Sequence, residues 1–121
     1  GKDTPSCGFG IGFDRVAVSI GEFKPARGPS VAVVCTKETR NAAYAAAAAF
    51  REAGIPAVMD LLDRGFGAQL SSALKSGATH AVVIGGKEAE AGTVMLKNLE
   101  TAVQTEMTLE AAVSEVLHGS C

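Results

Sequence analysis

An unbroken apolar run, Val31-Ala32-Val33-Val34-Cys35, followed at once by an alanine-rich stretch that stops at Gly54-Ile55-Pro56, constrains the fold more than any other feature of this chain. Five apolar residues in a row suit a strand covered on both faces, because a strand with one wet face would alternate. The alanine stretch suits a helix. Thr36 or Thr39 can cap it, and Ala43, Ala46, Ala47, Phe50 and Ala53 recur on one stripe of small residues that lets helix approach sheet closely. Gly54 supplies a left-handed stop and Pro56 prevents continuation. A second strand is expected at 57–60, then a loop over 61–67 holding Asp63, Arg64, Gly65 and Gly67. A shorter helix follows with Leu70, Ala73 and Leu74 inward and Gly77 as terminator, and a third strand, His80-Ala81-Val82-Val83-Ile84, is stopped by Gly85-Gly86. Strand, helix, strand, helix, strand requires right-handed crossovers within a parallel sheet.

The pattern changes after Gly92. Residues 93–97 and 102–106 read as two strands joined by Asn98-Leu99-Glu100-Thr101, which adds a hairpin to the sheet. Thr108 then caps a last helix whose Leu109, Ala112, Val113, Val116 and Leu117 form an amphipathic stripe. The expected fold class is α/β, a mixed five-stranded sheet with three main helices.

Ahead of this domain, Gly21, Pro25, Gly28 and Pro29, with Lys24 and Arg27 between them, mark residues 21–30 as a linker. The chain thus divides into an N-terminal piece, 1–20, the linker, and a domain over 31–121. Gly8-Phe9-Gly10-Ile11-Gly12 is not a dinucleotide loop, since no strand precedes it and the spacing differs. Residues 9–20 read instead as an apolar helix with Ile11, Phe13, Val16 and Ile20 inward. Arg15 projects from it, where a permanently charged guanidinium can neutralise phosphate.

With 121 residues, 47% of them hydrophobic and 20% charged, the chain is long enough for one packed core and too apolar for disorder. Lys and Arg number 11 against 13 Asp and Glu, a formal charge of −2, so any contact with nucleic acid must come from a local patch. Cys7, Cys35 and Cys121 are odd in number and widely spaced, which argues against a disulfide framework or a metal site and for a reducing setting. There is no apolar run of membrane length and no basic region leading a hydrophobic stretch, so the expectation is a soluble, cytoplasmic protein without membrane contact.

The segment Gly8-Phe9-Gly10-Ile11-Gly12-Phe13-Asp14-Arg15 resembles the third signature motif of class II aminoacyl-tRNA synthetases, in the glycine-rich form that closes the catalytic domain of histidyl-tRNA synthetases. From Val31 to Leu117 the chain is similar to the C-terminal anticodon-binding domain of the same family. The similarity is carried by Arg51-Glu52-Ala53-Gly54-Ile55, by Gly77-Ala78, and above all by the block Gly92-Thr93-Val94-Met95-Leu96-Lys97-Asn98-Leu99-Glu100-Thr101. The resemblance implies that residues 1–20 are the end of a catalytic domain in which Arg15 contacts ATP phosphates. It implies ATP and Mg2+ as cofactors of a full-length, homodimeric ligase that attaches histidine to its tRNA. The chain by itself, lacking an adenylate-binding sheet and a histidine pocket, is expected to be catalytically inactive, to need no cofactor and to be a monomer.

For residues 31–121 the resemblance implies recognition of the histidine anticodon loop of tRNA, whose unpaired bases expose edges that a duplex hides. The candidate RNA contacts are Arg64, Phe66, Gln69, Lys75, Lys87, Lys97 and Gln104. Alternatives stand beside them: Arg64 as a loop cap, Lys75 and Lys87 as solubilising charges, Lys97 as the ion-pair partner of Glu100 or Glu106, and Phe66 as a loop anchor instead of a stacking platform. Where relatives commonly place paired lysines before the glutamine, this chain has Arg64-Gly65-Phe66-Gly67-Ala68-Gln69, and fewer phosphate contacts mean weaker binding with a flatter salt dependence. That departure and the acidic balance favour a second reading, a synthetase-like regulatory or protein-interaction domain without anticodon discrimination. A flavodoxin-like small-molecule binder is weaker still, because Thr36-Lys37-Glu38-Thr39-Arg40 offers no glycine for a phosphate loop.

Overall fold

The computed structural model describes residues 1–22 and 28–119. Lys24, Pro25 and Arg27 of the expected linker lie outside the described residues, as does Cys121. In chain order the elements are α1 (Phe13–Ile20), β1 (Val31–Cys35), α2 (Arg40–Glu52), β2 (Ala57–Met59), α3 (Phe66–Ser76), β3 (His80–Ile84), α4 (Gly86–Ala91), β4 (Thr93–Asn98), β5 (Gln104–Thr108) and α5 (Leu109–His118). They build a five-stranded sheet in the order β2-β1-β3-β4-β5, parallel across β2, β1 and β3 and antiparallel from β3 to β5. The mixed α/β sheet is the one the sequence pattern demands.

From β1 the chain crosses by α2 to β2 on one side, then returns by α3 past β1 to β3 on the other. Two right-handed crossovers running in opposite directions must put their helices on opposite faces. Val31, Val33 and Cys35 accordingly pack with Ala43, Ala46, Ala47 and Phe50 of α2 and with Ala112 and Val116 of α5. Ala32 and Val34 line the other face with Ala73 of α3. All five residues of β1 are buried, the reason for the unbroken apolar run. Gly54 takes a φ of +82° and ends α2 as expected.

Four expectations need correction. The N-terminal helix starts at Phe13, and Ile11, Phe13, Val16 and Ile20 are not inward: each is at least 46% exposed, because no part of the described chain covers them. Next, α3 starts inside the expected loop, and two hydrogen bonds between the Gln69 side chain and the Cys35 backbone fix its rotation, so that Gln69 and Ala73 point inward while Leu74 is exposed. The Gly85-Gly86 pair does more than stop β3. Gly85 caps the short α4, its N–H donating to Glu88 Oε2 at 3.0 Å, so the described residues form five helices in all, three large and two small. Finally, the hairpin turn is longer than expected and β5 starts two residues late. Asn98 Oδ1 accepts from the N–H groups of Glu100 (2.9 Å) and Thr101 (3.1 Å), which turns residues 99–102 away from the ladder, while the Val103 carbonyl still accepts from the Asn98 N–H at 2.9 Å.

Candidate nucleic-acid interface

In an open sheet the place where successive crossovers diverge leaves a crevice at the carboxyl ends of the strands. Here that place is the end of β1, between β2 and β3. The loops after β1 and β2 and the start of α3 enclose a cleft of about 260 Å³, lined among others by Cys35, Arg40, Asp60, Asp63, Arg64 and Phe66. Thr39 fastens its wall, accepting from the Thr36 N–H at 3.0 Å and donating to the Ile84 carbonyl at 2.7 Å. Cys35 lies at its floor, and burial pushes its thiol above the ordinary value, which favours the protonated form over the nucleophilic thiolate.

Gln69 is buried in this wall. Its Oε1 accepts from the Cys35 N–H at 3.2 Å, and its Nε2 donates to the carbonyls of Cys35 (2.8 Å) and Arg64 (2.6 Å). Of the expected RNA contacts it is therefore the one whose polar atoms are spent on the protein's own backbone, and its work is to shape the cleft. Arg64 is held from the other side, its Nε 2.6 Å and its Nη2 2.5 Å from Asp60 Oδ2. The Leu62 N–H binds Asp60 Oδ1 at 2.9 Å, and that bond, then the Arg64 guanidinium, holds the Asp60 carboxyl below the ordinary carboxylate value. A second ion pair joins Arg40 to Asp63.

Phe66 opens α3 and is 38% exposed. Its Cζ lies 3.9 Å from where a Cβ on Gly85 would stand, so the ring reaches from the β2–α3 loop to the start of α4. Lys87, exposed at the second position of α4, stands at this same end of the sheet.

The other candidates lie elsewhere. Register aligns Val58, Ala32, Ala81, Lys97 and Gln104 in one row across the sheet, and paired residues share a face. Lys97 and Gln104 thus face the α3 side, near the start of β3 and away from the cleft. Lys75, in the last turn of α3, is at that same far end, because α3 runs back from the cleft to the beginning of β3. Among the described residues Lys97 pairs with neither Glu100 nor Glu106, and Glu106 instead accepts from Thr93 Oγ1 at 2.7 Å. Arg15 stands exposed on α1 beside Asp14, Val18 and Ser19.

The structure therefore gathers Arg64, Phe66 and Gln69 at the cleft with Lys87 on the same end, and sets Lys75, Lys97 and Gln104 apart. Sequence reasoning missed Lys37, Arg40, Asp60 and Asp63 as cleft residues. The signal was available: all four follow the first two parallel strands, at the ends where such sheets bind ligands.

A mixed sheet in this order, with an open cleft at the carboxyl ends of its parallel strands, defines an α/β domain of the crossover type. The family model described as "Anticodon binding domain" matches residues 30–118, and the chain belongs to that family. It is 72% identical over 121 residues to the histidine–tRNA ligase of Methanocorpusculum labreanum, covering 100% of this chain and 29% of that one. It is 57% identical over 122 residues to the histidine–tRNA ligase of Methanoculleus marisnigri, covering 100% and 30%. The crystal structure of histidyl-tRNA synthetase from Nostoc sp. PCC 7120 superposes with a TM-score of 0.69 at 28% identity, over 75% of this chain and 22% of that one. The chain spans less than a third of the length of these curated relatives. Among the described residues no helix is long and apolar enough to cross a membrane, and no group of His, Cys, Asp and Glu is placed to hold a metal ion.

Proposed function

We propose that this chain reads the anticodon loop of histidine tRNA as one domain of a cytoplasmic histidine–tRNA ligase, and that the cleft at the ends of β1 and β2 receives the loop's nucleotides. The observation that carries this is a partly exposed aromatic ring, Phe66, set in one cleft with Arg40 and Arg64 within the segment that matches the anticodon-binding family. Unstacked bases bind to such a ring, and guanidinium groups donate paired N–H bonds to phosphate oxygens. Phe66 is the stacking platform, Arg64 and Arg40 the phosphate contacts, Lys87 a contact on the rim, and Gln69 the brace that sets the cleft's shape. Lys75, Lys97 and Gln104 meet parts of the RNA farther from the stacked base.

In the whole ligase, a homodimer, ATP and Mg2+ drive the joining of histidine to tRNA, and Arg15 on α1 presents its guanidinium to the ATP phosphates. The 121-residue chain alone has no such activity. The test is titration of a histidine anticodon stem-loop against the same stem with a scrambled loop. Preference for the histidine loop, weakened by about 1–3 kcal/mol in Phe66→Ala, supports the reading. Equal binding of the two loops refutes it.

A further inference from the structure

Resting on the anticodon-reading role, we infer that the two carboxylates of the cleft do different jobs: Asp63 is an exchangeable latch that RNA must release from Arg40, and Asp60 is a fixed positioning residue for Arg64. Their surroundings differ accordingly. The Asp60 side chain is only 10% exposed and both of its oxygens are engaged, one by the Leu62 N–H and one by the Arg64 guanidinium. Moving it would strand both partners. The Asp63 side chain is 55% exposed, and its ion-pair partner is Arg40, itself 32% exposed.

An ion pair so open to water gains little over its separated ions. A phosphate, which offers Arg40 paired oxygens, replaces Asp63 at small cost. The corner favours that exchange. Arg40 opens α2, whose first turn carries no acidic residue, so the positive end of the helix adds to the guanidinium, and Lys37 lines the same cleft. When phosphate takes Arg40, the released Asp63 gathers a cation from solution. That uptake offsets one released counterion and flattens the salt dependence.

Neutralising the two carboxylates must then act with opposite sign. The experiment measures Kd for the histidine anticodon stem-loop and the scrambled loop from about 50 to about 200 mM salt. It uses the parent chain, Asp63→Asn, Asp60→Asn, Arg40→Gln and the double variant Asp63→Asn with Arg40→Gln. Asp63→Asn is expected to bind roughly 2- to 5-fold tighter, with a slope of log K against log salt steeper by about 0.7. In the Arg40→Gln background the same change should have no effect, which separates a latch on Arg40 from the general removal of negative charge. Asp60→Asn should bind more weakly and lose preference for the histidine loop, a ratio that general loosening of the fold would leave alone. If Asp63→Asn binds no tighter, or if its gain persists without Arg40, the latch is refuted while the anticodon reading stands. Undiminished preference in Asp60→Asn refutes the positioning role. If the parent chain does not distinguish the two loops, the anticodon reading itself falls and the latch with it.

Discussion

The side-chain amide of Gln69 pairs with both backbone groups of Cys35, as a neighbouring strand would. It does so where no strand is available: β2 pairs with β1 only as far as Val33, so the edge of Cys35 that faces β2 would otherwise be bare. A side chain from α3 completes the sheet. It also ties the Arg64 carbonyl to the same amide, joining the loop after β2 to the end of β1.

Replacing Gln69 with Leu removes the partners of buried backbone groups, each worth about 1–3 kcal/mol when left unsatisfied. The variant should lose about 2–4 kcal/mol of unfolding free energy, read from urea denaturation. An unchanged midpoint would show that water replaces the amide at no cost.

The core was legible because its signals are dense. The unbroken run in β1 and the small-residue stripe of α2 each admit one placement, and both are found where they were expected. The site was legible only in part, because a chemical type says nothing about which way a side chain points. Gln69 reads as a free hydrogen-bonding group until its rotation on α3 turns it to Cys35. Arg40 reads only as the end of the glycine-free stretch after the first strand until the crossover reversal brings it beside Asp63. The slipped hairpin has a local cause, the Asn98 turn, whose competition with the ladder no alternation of apolar residues reveals.

That turn forces Ala102 into a φ of +59°, a left-handed conformation that costs an L-residue about 1–2 kcal/mol. Glycine adopts it freely but gives back about 0.5–1 kcal/mol of that through the entropy of the unfolded chain. Ala102→Gly should therefore raise stability by about 0.5 kcal/mol in thermal or urea unfolding. A destabilised variant would mean that the methyl group makes a contact worth more than the strain.

His80 is buried on the α5 side of the sheet, its Nδ1 2.8 Å from Thr79 Oγ1. Burial lowers its pKa from the ordinary 6.5, outweighing the opposing pull of Glu100 and Glu115. The folded protein thus holds a neutral ring that the unfolded chain protonates more readily. Stability from this group is complete above pH 6.5 and declines as pH falls below it. Unfolding free energy measured from neutral to mildly acidic pH should fall, and His80→Gln should flatten that fall. A parent curve with no slope in that interval would show the ring to be equally titratable in both states.

The two described cysteines should differ in reactivity. Cys7 is exposed, whereas Cys35 is buried with its thiol shifted upward. Brief iodoacetamide treatment of the native protein should alkylate Cys7 and spare Cys35 until denaturant is added, as followed by peptide mass spectrometry. Equal labelling of both would mean that the cleft floor opens readily.

Backbone amide mapping by NMR tests the anticodon reading most directly. Adding histidine anticodon stem-loop RNA to the labelled chain should shift the amides that ring the cleft, including those of Thr36, Gly65, Phe66 and Gly85. The scrambled loop should shift them less at equal concentration. Shifts confined to α5 and the β5 edge, or identical shifts with both RNAs, would contradict the placement of anticodon reading in the cleft at the ends of β1 and β2.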